Sequence, residues 1–282
     1  MNTAMLSDGK LVSAEEYVIG KHGTQLFCID KRCRVPVIFM PATANTRAYF
    51  KTTGKNDSSH SEECGFYRPL NFKESVEKVN EYYQELTSDN KQLENLIRVN
   101  LNKIDPDYTP KQNEQENSKQ DNKQEEKIKI KSENKTPGSI SSLKSIVKLI
   151  TSHEPDILST VLIGIRGYKV PLSSVVIDHI KAHQLLWESE RLRHEFFVFG
   201  HIESVQRREK VIYINFTKKN DISFTLVIFE KHFKHFTYSD EQLIGKNCLV
   251  YGLLRKNTYK EKNITQMIIK SNNYLEFLTL DD

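Results

Sequence analysis

The sequence predicts an α+β chain of several domains: a small β-rich module, a helix, a linker, a helical segment and a C-terminal five-stranded β-barrel. Three observations carry that expectation. Between residues 196 and 278, β-branched and aromatic runs alternate with polar, basic connections, which is a strand pattern. Three of the four cysteines fall in the first quarter of the chain at close spacing. Between these regions, residues 105–138 contain almost no large apolar side chains.

Composition sets the outer limits. The 282 residues are 38% hydrophobic and 28% charged, with a net charge of +4, so there is material for cores and no strong charge bias. No apolar run approaches the ~20 residues that a spanning helix needs. The first residues, MNTAMLSDGKLVSAEEY, lack the basic region and apolar stretch of a secretory signal. The expectation is a cytoplasmic chain without a membrane partner, in which cysteines stay reduced. Cys248, inside a strand-like run, then reads as a small buried side chain.

Residues 1–70 form the first unit. Cys28 and Cys33 are separated by four residues, and His60 and Cys64 by three. Between the pairs, RVPVIFMP and RAYFKT read as two strands that would bring the pairs together. Two close pairs on a hairpin can present four ligands to a tetrahedral ion, and a unit this short buries too little apolar surface to be secure without one. Thiolate and imidazole favour Zn2+ over harder ions, and four filled positions make it structural. The alternative is three reduced cysteines and a surface histidine. His22 is a spare ligand beside a turn at Gly23. Arg32, Arg34, Arg47 and Lys51 could touch phosphates or be ordinary solvated side chains. The stretches GTQLFCIDKRCRVPVIFMP, RAYFKT and HSEEC resemble the zinc-binding N-terminal region of competence-protein CoiA-like proteins, a bacterial setting. That resemblance implies Cys28, Cys33, His60 and Cys64 as ligands. The nuclease core that would follow in such proteins is not found downstream. The nearest acidic–lysine run, Glu230-Lys231-His232, lacks the residue that should separate acid from lysine.

Residues 71–104 form the second unit. Phe72, Val76, Val79, Tyr83, Leu86, Leu93 and Ile97 follow four–three spacing with Asn90 in the seam, which predicts a helix over 72–101. Such a seam would serve a homodimer, or pack on its own chain. Residues 105–138, with seven basic and eight acidic side chains, predict a disordered linker tethering the flanking modules.

Residues 139–195 predict a helical segment packing on the barrel. SISSLKSIVKLITSH is a Ser-capped helix, ILSTVLIGI a strand, and a second helix starts near Pro171 and carries Trp187. His179 and His183 stand one helical turn apart, but no Glu follows the first as a metalloprotease motif requires, so Asp178, His179, His183 and His194 read as surface or packing residues.

Residues 196–282 form the last unit. The runs FFVFGHIESV, VIYINF, ISFTLVIF, KNCLVYGLL and ITQMIIK are strands, with an insertion of helical spacing between the third and fourth. Alternation puts Ile212, Ile214 and Phe216 on one face, and Phe224, Leu226 and Ile228 inward on the next strand. Gly200 and Gly252 mark bends or bulges. Five strands with an insertion after the third is the connectivity of an OB barrel. The runs FGHIESV and IGKNCLVYGLL, at their spacing, resemble the OB-fold nucleic-acid-binding family.

The connections are basic, with thirteen Lys and Arg against eight Asp and Glu over residues 196–278. Arg207, Arg208 and Lys210 lie in the first loop, and Lys218 and Lys219 in the second. Arg255, Lys256, Tyr259, Lys260 and Lys262 lie in the last. With Tyr213 and Tyr259 available for stacking, these residues suit single-stranded DNA or RNA. The expected function is therefore non-enzymatic nucleic-acid binding on an OB face beside a structural zinc module. The alternatives are a protein-interaction adaptor and, more remotely, a divergent nuclease.

Overall fold

The computed structural model describes the chain except at residues 56, 89–94, 110–138, 190–191, 193 and 280–282. Asp8 and Gly9 turn the chain between β1 (Thr3–Leu6) and β2 (Leu11–Ser13), where Gly9 holds a φ of 86°. After α1 (Ile19–His22) come β3 (Leu26–Cys28), β4 (Pro36–Met40) and β5 (Tyr49–Lys51). The sheet order is β2-β1-β3-β4-β5. The two strands expected from RVPVIFMP and RAYFKT are β4 and β5; the hairpin of β1 and β2 was not expected. The small core of this sheet includes Ala4, Val12, Leu26, Val37 and Phe50.

Asn71 and Glu74 exchange side-chain and backbone hydrogen bonds and start α2 (Phe72–Ser88). The helix is amphipathic, but its seam is used within the chain. Phe72, Val76 and Val79 enter the main core, and Tyr82 and Leu86 pack against Leu11 and Ile29 of the N-terminal sheet. At 3.6 residues per turn, Tyr82 rather than Tyr83 faces inward. The expected helix over 72–101 is therefore corrected: α2 ends at Ser88, and Ile97 belongs to β6 (Asn95–Val99). Asn90 and Leu93 lie outside the described residues. A homodimer along this seam is not supported, because Phe72, Val76, Val79, Leu86 and Ile97 are already buried within the chain.

β6 also changes the expected separation of units. It pairs in parallel with β7 (Ser139–Ile140) and β8 (Val161–Ile165), and β9 (Tyr168–Pro171) completes the order β7-β6-β8-β9. Residues on either side of the expected 105–138 linker thus share one sheet; 110–138 themselves lie outside the described residues. The segment 139–195 is not purely helical. It holds β7–β9 as well as α3 (Leu143–Ser152), α4 (Pro155–Leu158), α5 (Leu172–Val175) and α6 (His179–Glu188). Ser142 caps α3 by accepting from Ser145 N, and Asp178 caps α6 by accepting from Ile180 N and Lys181 N.

The large sheet comprises β10 (Val176–Asp178), β11 (Phe196–Arg207), β12 (Val211–Phe216), β13 (Ser223–Phe229), β14 (Asn247–Gly252), β15 (Leu254–Tyr259), β16 (Lys262–Ile268) and β17 (Leu275–Leu278). Its order is β15-β16-β13-β12-β11-β14-β17, with β10 parallel to β11. β13 and β16 are parallel; the remaining pairs on the path are antiparallel. β14 and β15 are separated only by Leu253, yet β14 pairs with β11 and β15 with β16.

The inward sets Ile212/Ile214/Phe216 and Phe224/Leu226/Ile228 are buried. They share one core with Phe72, Ile97, Leu101 and Ile146 from upstream. The insertion after β13 is a 3-10 helix over Glu230–His235 and a short α7 (Asp240–Leu243). The longer helix on the sheet is α6, which contacts β10, β11, β13, β15 and β16. Trp187 on α6 donates Nε1–H to Thr265 Oγ1 at 3.2 Å. Gly200 makes room rather than a bend: a Cβ there would stand 2.4 Å from Phe216 and 2.8 Å from His179. The bulge in β11 falls later, between Ile202 and Ser204. Among the described residues no helix is long and apolar enough to cross a membrane.

Candidate metal centre and nucleic-acid face

Two loops bring the sulfur and nitrogen donors together. The first links β3 to β4: Cys33 N and Arg34 N both donate to Asp30 O, and Arg34 takes a left-handed φ of 51°. This turn absorbs the residues between Cys28 and Cys33. The second is the turn around His60 and Cys64, where Cys64 N donates to Ser61 O.

Cys28, Cys33, His60 and Cys64 converge, with all ligand atoms within 4.8 Å of one another. Cys28 Sγ is 3.7 Å from Cys64 Sγ. His60 Nδ1 is 3.3 Å from Cys64 Sγ and 3.5 Å from Cys33 Sγ. A tetrahedron with metal–sulfur bonds of about 2.3 Å has sulfur–sulfur edges of about 3.8 Å and slightly shorter sulfur–nitrogen edges. The four donors therefore fit a metal ion, and their chemistry is compatible with zinc. The two buried thiols stand in hydrogen-bond contact. The contact with Cys28, followed by His60, holds the Cys64 thiol down to about 5, whereas the same contact and burial push Cys28 up. A metal ion would hold the cysteines as thiolates and displace their protons.

Asp30 fastens this centre to the rest of the chain. It is fully buried. Its carboxylate accepts from Arg32 N at 3.0 Å, Gly65 N at 3.2 Å, Tyr82 Oη–H at 2.8 Å and the Lys78 ammonium. One side chain thus ties both ligand loops to α2. Burial alone would raise its pKa, but the donors, Lys78 first, hold it below the ordinary carboxylate value. Spacing did not single out Asp30; an acid between two ligand cysteines was the available signal.

A second feature lies on the outer face of β11, β12, β13, β15 and β16. It is a groove of about 480 Å³ lined in part by Arg208, Tyr213, Lys218 and Tyr259. Tyr259 is 62% exposed, so a ring face is open to a ligand. The Arg208 guanidinium stands 5.7 Å from the centre of the Tyr213 ring. Polar side chains floor the groove: Asn215 Nδ2 donates to Ser204 Oγ, and Thr225 Oγ1 donates to Asn215 Oδ1. Gln206, Asn257 and Gln266 line it as well. Site reasoning from basic loops missed these residues, although strand alternation already placed Asn215 and Thr225 outward.

The other expected cations do not line this groove. Arg207 is engaged elsewhere, donating Nε–H to Asp240 Oδ1 and an Nη2 hydrogen to Tyr238 O, both at 2.7 Å. Lys256 lies 5.3 Å from the Trp187 ring, towards α6. Lys262 stands 4.0 Å from Asp221. Lys210, Lys219, Arg255 and Lys260 are exposed around it, with Lys260 Nζ 5.5 Å from the Tyr259 ring centre. The polar residues of 178–194 pack: His179 lies edge-on to Phe216, His183 meets Thr265, and His194 lies against Phe196. His232 is buried beside Asp107.

No family model matches the chain, and no curated protein matches it. Among solved structures it is similar to an aspartyl tRNA synthetase from Entamoeba histolytica, at 9% identity and a TM-score of 0.22, over 31% of this chain and 19% of that one. It is also similar to the Entamoeba histolytica asparaginyl-tRNA synthetase in complex with asparaginyl-adenylate, at 15% identity and a TM-score of 0.21, over 38% of this chain and 24% of that one. The chain thus covers about a fifth to a quarter of those proteins.

Proposed function

We propose that the chain binds single-stranded DNA or RNA along the groove of β11–β13, β15 and β16, and that a structural zinc ion holds its N-terminal module. The observation that carries this is one open groove combining two tyrosines, two cations and a polar floor. Stacking on the rings tolerates any base, and the cations follow the phosphates.

The strand order supports an OB barrel as the carrier. If β14 and β15 are two halves of one strand broken at Leu253, the path runs first, second, third, fifth, fourth and back to the first. That is a closed five-stranded barrel, with the first and last loops framing the groove. Three-sulfur, one-nitrogen ligation fills the tetrahedron and leaves no position for water, which suits a structural metal.

The test is fluorescence anisotropy of the full chain with labelled oligo-dT and oligo-U across a salt series. The full chain is required because Phe72, Ile97 and Leu101 belong to the same core as the large sheet. Binding at micromolar concentration or tighter should weaken with salt. Tyr259→Ala should cost about 1–3 kcal/mol if a base stacks there. Neutralising Arg208 and Lys218 should flatten the logarithmic salt slope by about 0.7 for each phosphate that is no longer neutralised. No binding at low salt would sink the proposal and point to a protein partner.

A further inference from the structure

A cavity larger than the groove lies elsewhere among the described residues. About 690 Å³ opens between the four-stranded sheet and the large one, and none of its lining residues lines the groove. Its walls come from β6 and the following loop, the β8–β9 hairpin, Glu195 ahead of β11, Tyr251 on β14 and Tyr274. That volume is ordinary for a small-molecule site.

The lining has an unusual composition for a packing defect. Four tyrosines face it: Tyr108, Tyr168, Tyr251 and Tyr274. Arg98, Arg166 and Lys169 supply positive charge. Glu195 also lines it and is only 3% exposed. Its Oε1 pairs with Arg166 Nη2 at 2.5 Å, whereas Oε2 is buried and has no hydrogen-bond partner among the described residues. A buried carboxylate oxygen without a donor is costly and calls for one. The hairpin turn at Arg166 and Gly167, with φ of 47° and 86°, carries Arg166 over that carboxylate.

We propose that this cavity is a nucleotide site: a base or sugar donates a hydrogen bond to Glu195, the ring packs among the tyrosines, and the phosphate meets Arg98, Arg166 and Lys169. A simple phosphate would use the cations but neither the tyrosines nor the carboxylate. An apolar ligand would leave Glu195 unpaired. A nucleotide uses all three sets of groups. The nucleotide can be free or the phosphorylated end of a strand.

The experiment is equilibrium binding of a fluorescent N-methylanthraniloyl-AMP to the full chain, with competition by unlabelled AMP. Saturable binding displaced by AMP is expected. Arg166→Ala and Lys169→Glu, on an exposed hairpin, should each weaken it at least tenfold. Glu195→Gln should do the same, provided its melting temperature shows that it folds. The double groove variant Tyr213→Ala/Tyr259→Ala should leave it unchanged. In that double groove variant, displacement by AMP but not by a 5′-phosphorylated oligonucleotide identifies a free nucleotide. Displacement by the 5′-phosphorylated strand, and not by its 5′-hydroxyl form, identifies a strand end. Absence of saturable binding at millimolar AMP overturns the proposal, as does equal displacement by inorganic phosphate or indifference to both hairpin variants.

Discussion

Replacing Asp30 by asparagine keeps the shape of the side chain and removes its charge. In the native chain the carboxylate receives Lys78, Tyr82, Gly65 N and Arg32 N while fully buried. An amide cannot accept on both ends, so its NH2 group must face a donor, either Arg32 N alone or the Lys78 cluster. The first choice loses one neutral hydrogen bond, worth about 1 kcal/mol. In either case Lys78, only 9% exposed, loses its buried counter-charge and, among the described residues, keeps the more exposed Glu81 at 3.3 Å. Breaking one partner of a buried pair costs about 3–5 kcal/mol, and Glu81 offsets part of this, so a total near 3 kcal/mol is expected for Asp30→Asn. Urea unfolding of the metal-loaded chain at neutral pH measures it. Lys78→Met and the double variant complete a cycle, in which the double variant should lose less than the sum of the singles by about 2 kcal/mol. A loss below about 1 kcal/mol, or additive singles, would refute the role of Asp30 as the fastener between metal loops and α2.

Three further outcomes follow from the same geometry. Chelating the metal, or Cys64→Ser, should melt the N-terminal sheet first while the main core keeps its own later transition; an unchanged melting profile would contradict a structural metal. Gly200→Ala should destabilise the chain by about 1–3 kcal/mol in thermal unfolding, because its Cβ meets Phe216 at 2.4 Å, and a neutral result would show that the ring can move. His179, whose pKa is lowered by burial, contributes stability above its unfolded pKa of about 6.5 that is lost as pH falls through the lower folded value. Half-buried His153 and His183 and buried His232 shift the same way, so His179→Gln should flatten, not abolish, the fall in melting temperature between neutral and mildly acidic pH.

Local patterns showed through where one local force ruled. Alternation in VIYINF corresponds to the buried face of β12, because one side of that strand is a core, whereas β13 is buried without a break from Phe224 to Ile228, so its alternation marks only which residues face the main core. The Cys28, Cys33, His60 and Cys64 cluster was legible because ligand chemistry restricts residue types tightly. The α2 seam was misread at its far end. Four–three spacing carried on numerically through Leu93 to Ile97, but Asn95–Val99 has β-branched residues and a sheet partner at β8, and non-local pairing overrode the local period. Basic loops were equally ambiguous: Arg207 and Arg208 are adjacent in sequence, yet one is tied to Asp240 and the other opens on the groove. Glu195 gave no signal, since nothing in HEFFVF separates a paired acid from an orphaned one.

The pairing of β6 with β7 has a practical consequence. Val99 sits opposite Ile140, and Asn100 N donates to Ile140 O at 2.8 Å, so the chain leaves and re-enters at neighbouring strands. Strands in such a pair lie about 4.8 Å apart. The ends of the intervening stretch are therefore already joined by hydrogen bonds, and its length adds only a slowly growing closure term. A cut anywhere in 110–138 would yield two polypeptides that each carry half of a common interior: α2, β6 and the metal loops on one, the large sheet on the other. Co-expressed as separate genes, such halves should find each other and reconstitute a working whole, which makes this position a ready-made place to divide the protein.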